Sequence, residues 1–337
     1  MRTLFIGGTG TISTSCVAEA VRVGHEVSVL NRGRSTRREL PMGADAITAD
    51  YHDTIDLDSL INSHPFDVVV NFLSFDAADA SRMSQLLQGR ITQYIHISTA
   101  SAYHKPLPPG PIVESTPLHN PHLLYSRNKI AAERVLQDAY ERSGFPTTIV
   151  RPSHTYDDAE PPLTGAWTAW DRIARGDEIV VSGDGTSLWT ITHAQDLAVG
   201  LVGLIGNPRA IGEDFHITSD DVLSWDEIYR VAARAAGVAP RIRHLSAQLI
   251  KAAAPDWGWA DLYLGDLSHS AVFDNRKIRG LVPEYAPAIS WAQAAPRLAA
   301  FRAAHPDETR PDPELDRMLG RLVDASHAAE QAVRALP

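Results

Sequence analysis

The chain has 337 residues, 44% hydrophobic and 21% charged, with a formal net charge of −10. That balance suits one large or two smaller globular domains, and it argues against a nucleic-acid binder, which needs a basic face to neutralise phosphates. No apolar run approaches the ~18 residues of a membrane span, the first apolar run follows Met1 without a signal segment, and the one cysteine, Cys16, cannot form an internal disulfide, so a cytoplasmic protein is expected.

In chain order, the first apolar run, Leu4-Phe5-Ile6, stops at Gly7-Gly8-Thr9-Gly10-Thr11-Ile12-Ser13, and a helix-compatible segment follows. Strand, tight glycine turn and helix leave N–H groups unpaired at a helix N-terminus, where the dipole also favours negative charge. A second apolar run, Val27-Ser28-Val29-Leu30, completes a βαβ unit of about 30 residues. The turn is therefore read as a pyrophosphate site. Ser13 replaces a third glycine and is small enough for close packing of helix on strand.

The hydrophobic pattern predicts strands at 3–6, 26–30, 46–49, 67–72, 93–97 and 147–150, and helices at 11–23, 57–62, 77–88 and 123–143. Strands alternating with helices imply a Rossmann-type, doubly wound parallel sheet, whose ligands bind at the carboxyl ends of the strands. Residues 1–155 are assigned to this dinucleotide-binding domain, with a returning segment at 188–217. Residues 156–187 and 218–337 are assigned to a smaller, mixed α/β substrate-binding domain. Within it, a helix is predicted at 225–237 behind a Ser224 cap. The last segment places Leu315, Leu319, Leu322, Ser326, Ala329, Val333 and Leu336 on one helical stripe, which packs on its own domain or makes a homodimer.

Two further patterns carry chemistry. Tyr125 and Lys129 lie four residues apart, on one face of the helix predicted at 123–143. An ammonium near the phenol favours the phenolate and lowers its pKa, which makes the tyrosine a usable acid/base. Upstream, the strand at 93–97 runs into Ser98-Thr99-Ala100-Ser101, so hydroxyls stand on the ligand side of the sheet. They can hydrogen-bond the substrate oxygen on which the tyrosine acts. The fourteen histidines show no metal-ligand spacing, and no metal is expected.

Glycine turn, strand-end hydroxyls, Tyr125-x-x-x-Lys129, Arg151-Pro152, Gly183-Asp184-Gly185-Thr186 and His193-Ala194-Gln195-Asp196 occur in an order that resembles an extended short-chain dehydrogenase/reductase. The chain is similar to the NAD-dependent epimerase/dehydratase family, in an atypical branch. The turn Leu30-Asn31-Arg32-Gly33 resembles that of the chloroplast stem-loop-binding proteins, although the acidic charge gives no support for an RNA partner. The resemblance implies that Tyr125 is the catalytic acid/base and that Lys129 binds the nicotinamide ribose and tunes it. Thr99 takes the Ser/Thr place of the triad. The pyrophosphate would lie on Gly7, Gly10, Thr11 and Ile12, and the adenine on Asp50 and Tyr51. Phe72, Leu73 and Ser74 would line the cofactor channel, and Pro152 and His154 would border the nicotinamide. Thr99, Ser101, His154 and Trp189 would meet the substrate.

Two departures from the family pattern bear on the ligands. The acidic residue that often ends the second strand is Asn31 here, followed by Arg32. Loss of the carboxylate removes repulsion of a 2′-phosphate, and Arg32 can pair with one. NADP is favoured on that ground, while Asn31 can still bond a ribose hydroxyl of NAD. Second, the arginine that grips a nucleotide-sugar diphosphate is replaced by Trp189. That argues against a UDP- or dTDP-sugar and for a nucleoside, simpler glycoside or polyol, with stacking on Trp189.

The resulting expectation is an NAD(P)-dependent epimerase acting on a secondary hydroxyl through a transient keto intermediate, with tightly bound NAD. The alternatives are an NADPH-dependent carbonyl reductase or alcohol dehydrogenase and a dinucleotide-binding protein without turnover.

Overall fold

In the computed structural model, residues 1–33 and 38–336 are described. The first half alternates as its apolar pattern dictates: β1 (Arg2–Ile6), α1 (Thr11–Arg22), β2 (Glu26–Asn31), β3 (Ala44–Thr48), α2 (Thr54–Ser63), β4 (Val68–Asn71), α3 (Ala77–Leu87), β5 (Gln93–Ile97), α4 (Leu124–Ser143) and β6 (Thr147–Pro152). β4, β5 and β6 are buried along their whole length, which is why they read as continuous rather than alternating runs. Helix α2 starts earlier than its apolar residues suggest, because Asp53 caps it by accepting from the Ile55 and Asp56 N–H groups.

Past β6 the chain forms β7 (His154–Tyr156), α5 (Trp167–Arg175), β8 (Glu178–Ser182) and β9 (Leu188–His193), then returns through α6 (Ala194–Val202) and β10 (Asp214–Ile217). β10 pairs in parallel with β6 and completes a seven-stranded sheet of order β10-β6-β5-β4-β1-β2-β3. All its pairings are parallel. The strand order reverses between β1 and β4, so a crevice opens there at the carboxyl edge. One face of the sheet packs on α1 and α6 through Phe5, Cys16, Val17, Leu197 and Leu201. The other packs on α3 and α4 through Leu4, Ile6, Met83, Leu87 and Leu136.

The rest of the chain caps the carboxyl edge: β11 (Val222–Ser224), α7 (Trp225–Ala235), β12 (Arg241–Leu245), α8 (Ala247–Ala253), α9 (Gly258–Leu262), α10 (Arg276–Leu281), α11 (Trp291–Ala304) and α12 (Pro313–Arg334). Two small sheets, β11-β9-β7 and β12-β8, enclose an aromatic core that includes Trp167, Trp170, Trp189, Trp225 and Trp291. Ser224 caps α7 by accepting from the Glu227 N–H. In α12, Leu319, Leu322 and Val323 are buried against this core, whereas Val333 is 65% and Leu336 69% exposed. Only the first half of the apolar stripe packs on its own chain.

Candidate active site

The turn after β1 is held by close approaches. Gly7 has φ +85°, and a Cβ there would stand 2.8 Å from Leu73 Cγ. A Cβ on Gly8 would stand 2.3 Å from Val29 Cγ1. Neither position accepts a side chain without displacing its neighbour. Ser13 does more than fit: its Oγ accepts from the Gly10 N–H at 2.9 Å. The Thr11 and Ile12 N–H groups, in the first turn of α1, have no acceptor within the helix. A groove of about 560 Å³ runs from this turn to His154, Leu163 and Trp259, and a cavity of about 270 Å³ continues it past Asn31, Arg32, Asp50 and Phe75. A glycine cradle, free helix N–H groups and a long groove fit a dinucleotide.

The residues expected around the adenosine end differ in what they offer. Asn31 Oδ1 accepts from the Gly33 N–H at 2.8 Å, and Asp50 Oδ1 from the His52 N–H at 3.0 Å. Arg32 is exposed beside them. The Tyr51 ring is instead a core group, 1% exposed, with Asn71 Nδ2 donating to its hydroxyl and the Arg82 guanidinium over its face. Tyr51 still lines the cavity with Asn31, Arg32 and Asp50, while most of its ring is packed in the apolar layer under α2 and α3.

Arg38 was not singled out as a groove residue. Arg38 Nε meets Asp157 Oδ2 at 2.7 Å, and its guanidinium donates to Thr11 Oγ1 at 3.3 Å and lies 3.6 Å from Glu160. Thr11 Oγ1 donates to Glu160 Oε2 at 3.2 Å. The acidic run at 157–160 thus bridges the cap to the glycine turn. Nothing local in the sequence signals a pairing between segments so far apart.

At the end of β5, Thr99 Oγ1, Ser101 Oγ and Ser126 Oγ form a chain with steps of 2.9 and 2.7 Å. Tyr125, in the first turn of α4, is 46% exposed. Even so, desolvation by the surrounding protein raises its pKa, with the Thr99 hydroxyl pulling the other way. Lys129 is buried, and its Nζ donates to the Ser74 and Ile97 carbonyls at 2.6 and 2.7 Å. It lies 4.7 Å from the Phe75 ring centroid and 5.9 Å from that of Tyr125. Burial brings Lys129 down to about 8, against the pull of Glu133 and Asp79. The expectation that Lys129 lowers the Tyr125 pKa does not match this geometry. Helical spacing brings the two side chains together, but the ammonium points at two carbonyls rather than at the phenol oxygen.

Behind this cluster lies a buried ion network. Arg151, 1% exposed, donates through Nη2 to Glu133 Oε2 at 2.7 Å and contacts Asp214 at 2.6 Å. Ser98 Oγ donates to Glu133 Oε1. Arg151 thereby ties β6, β10 and α4 to the strand end that carries Thr99.

The groove ends at His154, which also lines a cavity of about 110 Å³ with Thr99, Ser101, Tyr125, Pro152, Trp189, Asp266 and Phe273. Burial lowers the His154 pKa and keeps the ring neutral. Trp189 is 2% exposed, and its Nε1 donates to the Leu267 carbonyl at 3.1 Å. It is a wall of the cavity and part of the aromatic core, so the expected stacking of a substrate across its face finds little open surface. Among the described residues no group of three or more histidine, cysteine or acidic side chains is placed to hold a metal, and no helix is long and apolar enough to cross a membrane.

Comparison with known proteins follows the same lines. A family model described as the NAD dependent epimerase/dehydratase family matches residues 3–218. The chain is 26% identical over 297 residues to a 2'-dehydrokanamycin reductase of Streptomyces kanamyceticus, covering 85% of this chain and 80% of that one. It is 27% identical over 255 residues to the chloroplast stem-loop binding protein of 41 kDa b of Arabidopsis thaliana, covering 72% and 65%. A UDP-glucuronic acid 4-epimerase from Bacillus cereus, solved with UDP-glucuronic acid and NAD, superposes with a TM-score of 0.73 at 18% identity, over 90% of this chain and 99% of that one. With more than half its length matched by the family model, the chain belongs to the NAD dependent epimerase/dehydratase family.

Proposed function

We propose that the protein reduces a ring ketone of a sugar-like substrate, and that in reverse it oxidises the corresponding secondary alcohol. The observation that carries this reading is the convergence of Tyr125, Thr99 and His154 on one small cavity at the end of the dinucleotide-sized groove. A bound nicotinamide dinucleotide supplies the hydride. Gly7, Gly10, Thr11 and Ile12 hold its pyrophosphate, Asn31, Arg32 and Asp50 its adenosine, and Phe72, Leu73, Pro152 and His154 the path to the substrate. The Thr99 hydroxyl donates to the ketone oxygen, and Ser101 and Ser126 orient it. Tyr125 gives that oxygen its phenolic proton as the carbon gains hydride. The raised pKa keeps the phenol protonated at neutral pH, the form a reduction needs. Lys129 keeps its ammonium on the Ser74 and Ile97 carbonyls, and the phenolate left behind recovers its proton from solvent on its open side.

Net reduction is favoured over epimerisation by the walls of the cavity. Epimerisation through a ketone requires that both faces be presented while the substrate stays anchored. A diphosphate anchor needs a cation, and no lining residue is one. The likeness to a 2'-dehydrokanamycin reductase over 85% of the chain supports the same choice. Family membership keeps epimerisation as the second reading. NADP is the preferred cofactor, because Asn31 carries no charge to repel a 2′-phosphate and Arg32 stands exposed beside it. Ring ketones of phosphate-free glycosides mixed with NADPH and the purified protein test the proposal. Steady loss of NADPH absorbance in step with product is expected. Interconversion of epimers with no net absorbance change would overturn it.

A further inference from the structure

We infer that Asp266 is a substrate-specificity residue: its carboxylate accepts from an ammonium group on a phosphate-free amino-glycoside bound in front of Tyr125. The inference rests on the reading of that cavity as the substrate pocket. Asp266 lies in the π-helical turn Tyr263–Leu267 and lines the cavity that holds Thr99, Tyr125 and His154. It is the one formally charged group among the lining residues, His154 being kept neutral by burial. Behind it, Lys105 Nζ holds Oδ1 at 2.7 Å, with the lysine side chain 1% and the aspartate side chain 9% exposed.

The position of Asp266 is locked to the reacting groups. Asn120, 1% exposed, donates through Nδ2 both to the Ser101 carbonyl at 2.9 Å and to the Gly265 carbonyl at 2.8 Å. A Cβ on Gly265 would stand 2.8 Å from Leu123 Cγ and 2.9 Å from His122 Cβ. The turn that carries Asp266 is thus clamped against the hydroxyl chain and the start of α4. Burying a charge pair is unfavourable unless its geometry is well satisfied, and this pair borders the cavity through Asp266. A carboxylate oxygen accepts hydrogen bonds and repels phosphate. Asp157 and Glu160, nearer the groove, are paired with Arg38, so the selection against anions is confined to the pocket that Asp266 lines.

The test measures binding of kanamycin, maltotriose and UDP-glucose to the NADPH-loaded protein. The expected order is kanamycin tightest and UDP-glucose weakest. Asp266→Asn should weaken kanamycin by about tenfold or more, with NADPH affinity and maltotriose binding unchanged. Lys105→Met should tighten kanamycin by removing the competing cation, a change of sign that loss of structure would not give. If that variant does not fold, the near-isosteric Asp266→Asn decides alone. UDP-glucose as the tightest ligand, no measurable kanamycin binding, or an Asp266→Asn protein that binds kanamycin like the parent would each overturn the inference. Kanamycin binding that depends on Asp266, without hydride transfer to any ring ketone, would sink the proposed reaction and leave this site standing.

Discussion

The groove over the first turn and the pocket at its far end are built from different materials. The groove, with cavities of about 270 and 560 Å³, opens on a backbone cradle of Gly7, Gly10 and the first N–H groups of α1. The pocket is about 110 Å³, and its polar side chains are tethered to one another or to the fold. Thr99 is bonded to Ser101, Asp266 to Lys105, and the Trp189 ring nitrogen to Leu267. A backbone cradle recognises what every dinucleotide shares. A wall of tethered side chains recognises one arrangement of donors and acceptors.

The comparison can be broken most sharply at Tyr125. Tyr125→Phe should cut the rate of hydride transfer by about 10²–10⁴-fold while dinucleotide binding, followed by fluorescence, stays nearly unchanged. An equal loss of both would mean that groove and pocket are not separable.

Next in size is Arg151→Met. It leaves Glu133 buried without its cation, and denaturant unfolding should show a loss of about 3–5 kcal/mol. A neutral result would remove Arg151 as the tie between the sheet and the strand end carrying Thr99.

Acid should loosen the pocket end. His154 and His216 are held neutral by burial, His216 at about 4. Their unfolded-state pKa is near ~6.5, so below that value the unfolded chain binds protons that the folded one refuses. The stability held by these rings is complete above about pH 6.5 and falls as pH drops toward 4, by up to about 1.4 kcal/mol per pH unit for each ring. Thermal unfolding across that window checks the slope. A flat profile would mean that both rings take up protons in the fold as readily as in the unfolded chain.

The smallest effect is expected at the open end of the groove. Arg32→Ala should weaken NADPH by roughly tenfold and leave NADH as it was, as read by titration. Equal losses would place Arg32 at the pyrophosphate instead.

What could be read from the sequence follows the same division. The turn at residues 7–13, the hydroxyls after β5 and the Tyr125–Lys129 spacing are local, so period and composition reveal them. The Arg38 bridge to Asp157 and the Lys105–Asp266 pair join distant segments and leave no pattern in either. The place of Tyr51 after β3 gives the backbone path to the cavity but not the layer that most of its ring enters. Lys129 shows the limit of helical spacing: four residues give proximity to Tyr125, while the carbonyls of Ser74 and Ile97 decide where the ammonium points.

The serine at the third glycine position has a consequence for how long a cofactor stays. Ser13 Oγ takes the Gly10 N–H for itself, so an anion reaching the turn meets a shorter row of donors that begins at Thr11. With one donor fewer for the pyrophosphate placed there on the proposed reading, more of the affinity would rest on the adenosine end and residence would shorten. That suits a catalyst whose oxidised cofactor departs after every cycle, and would be a handicap for one that keeps a single dinucleotide for life.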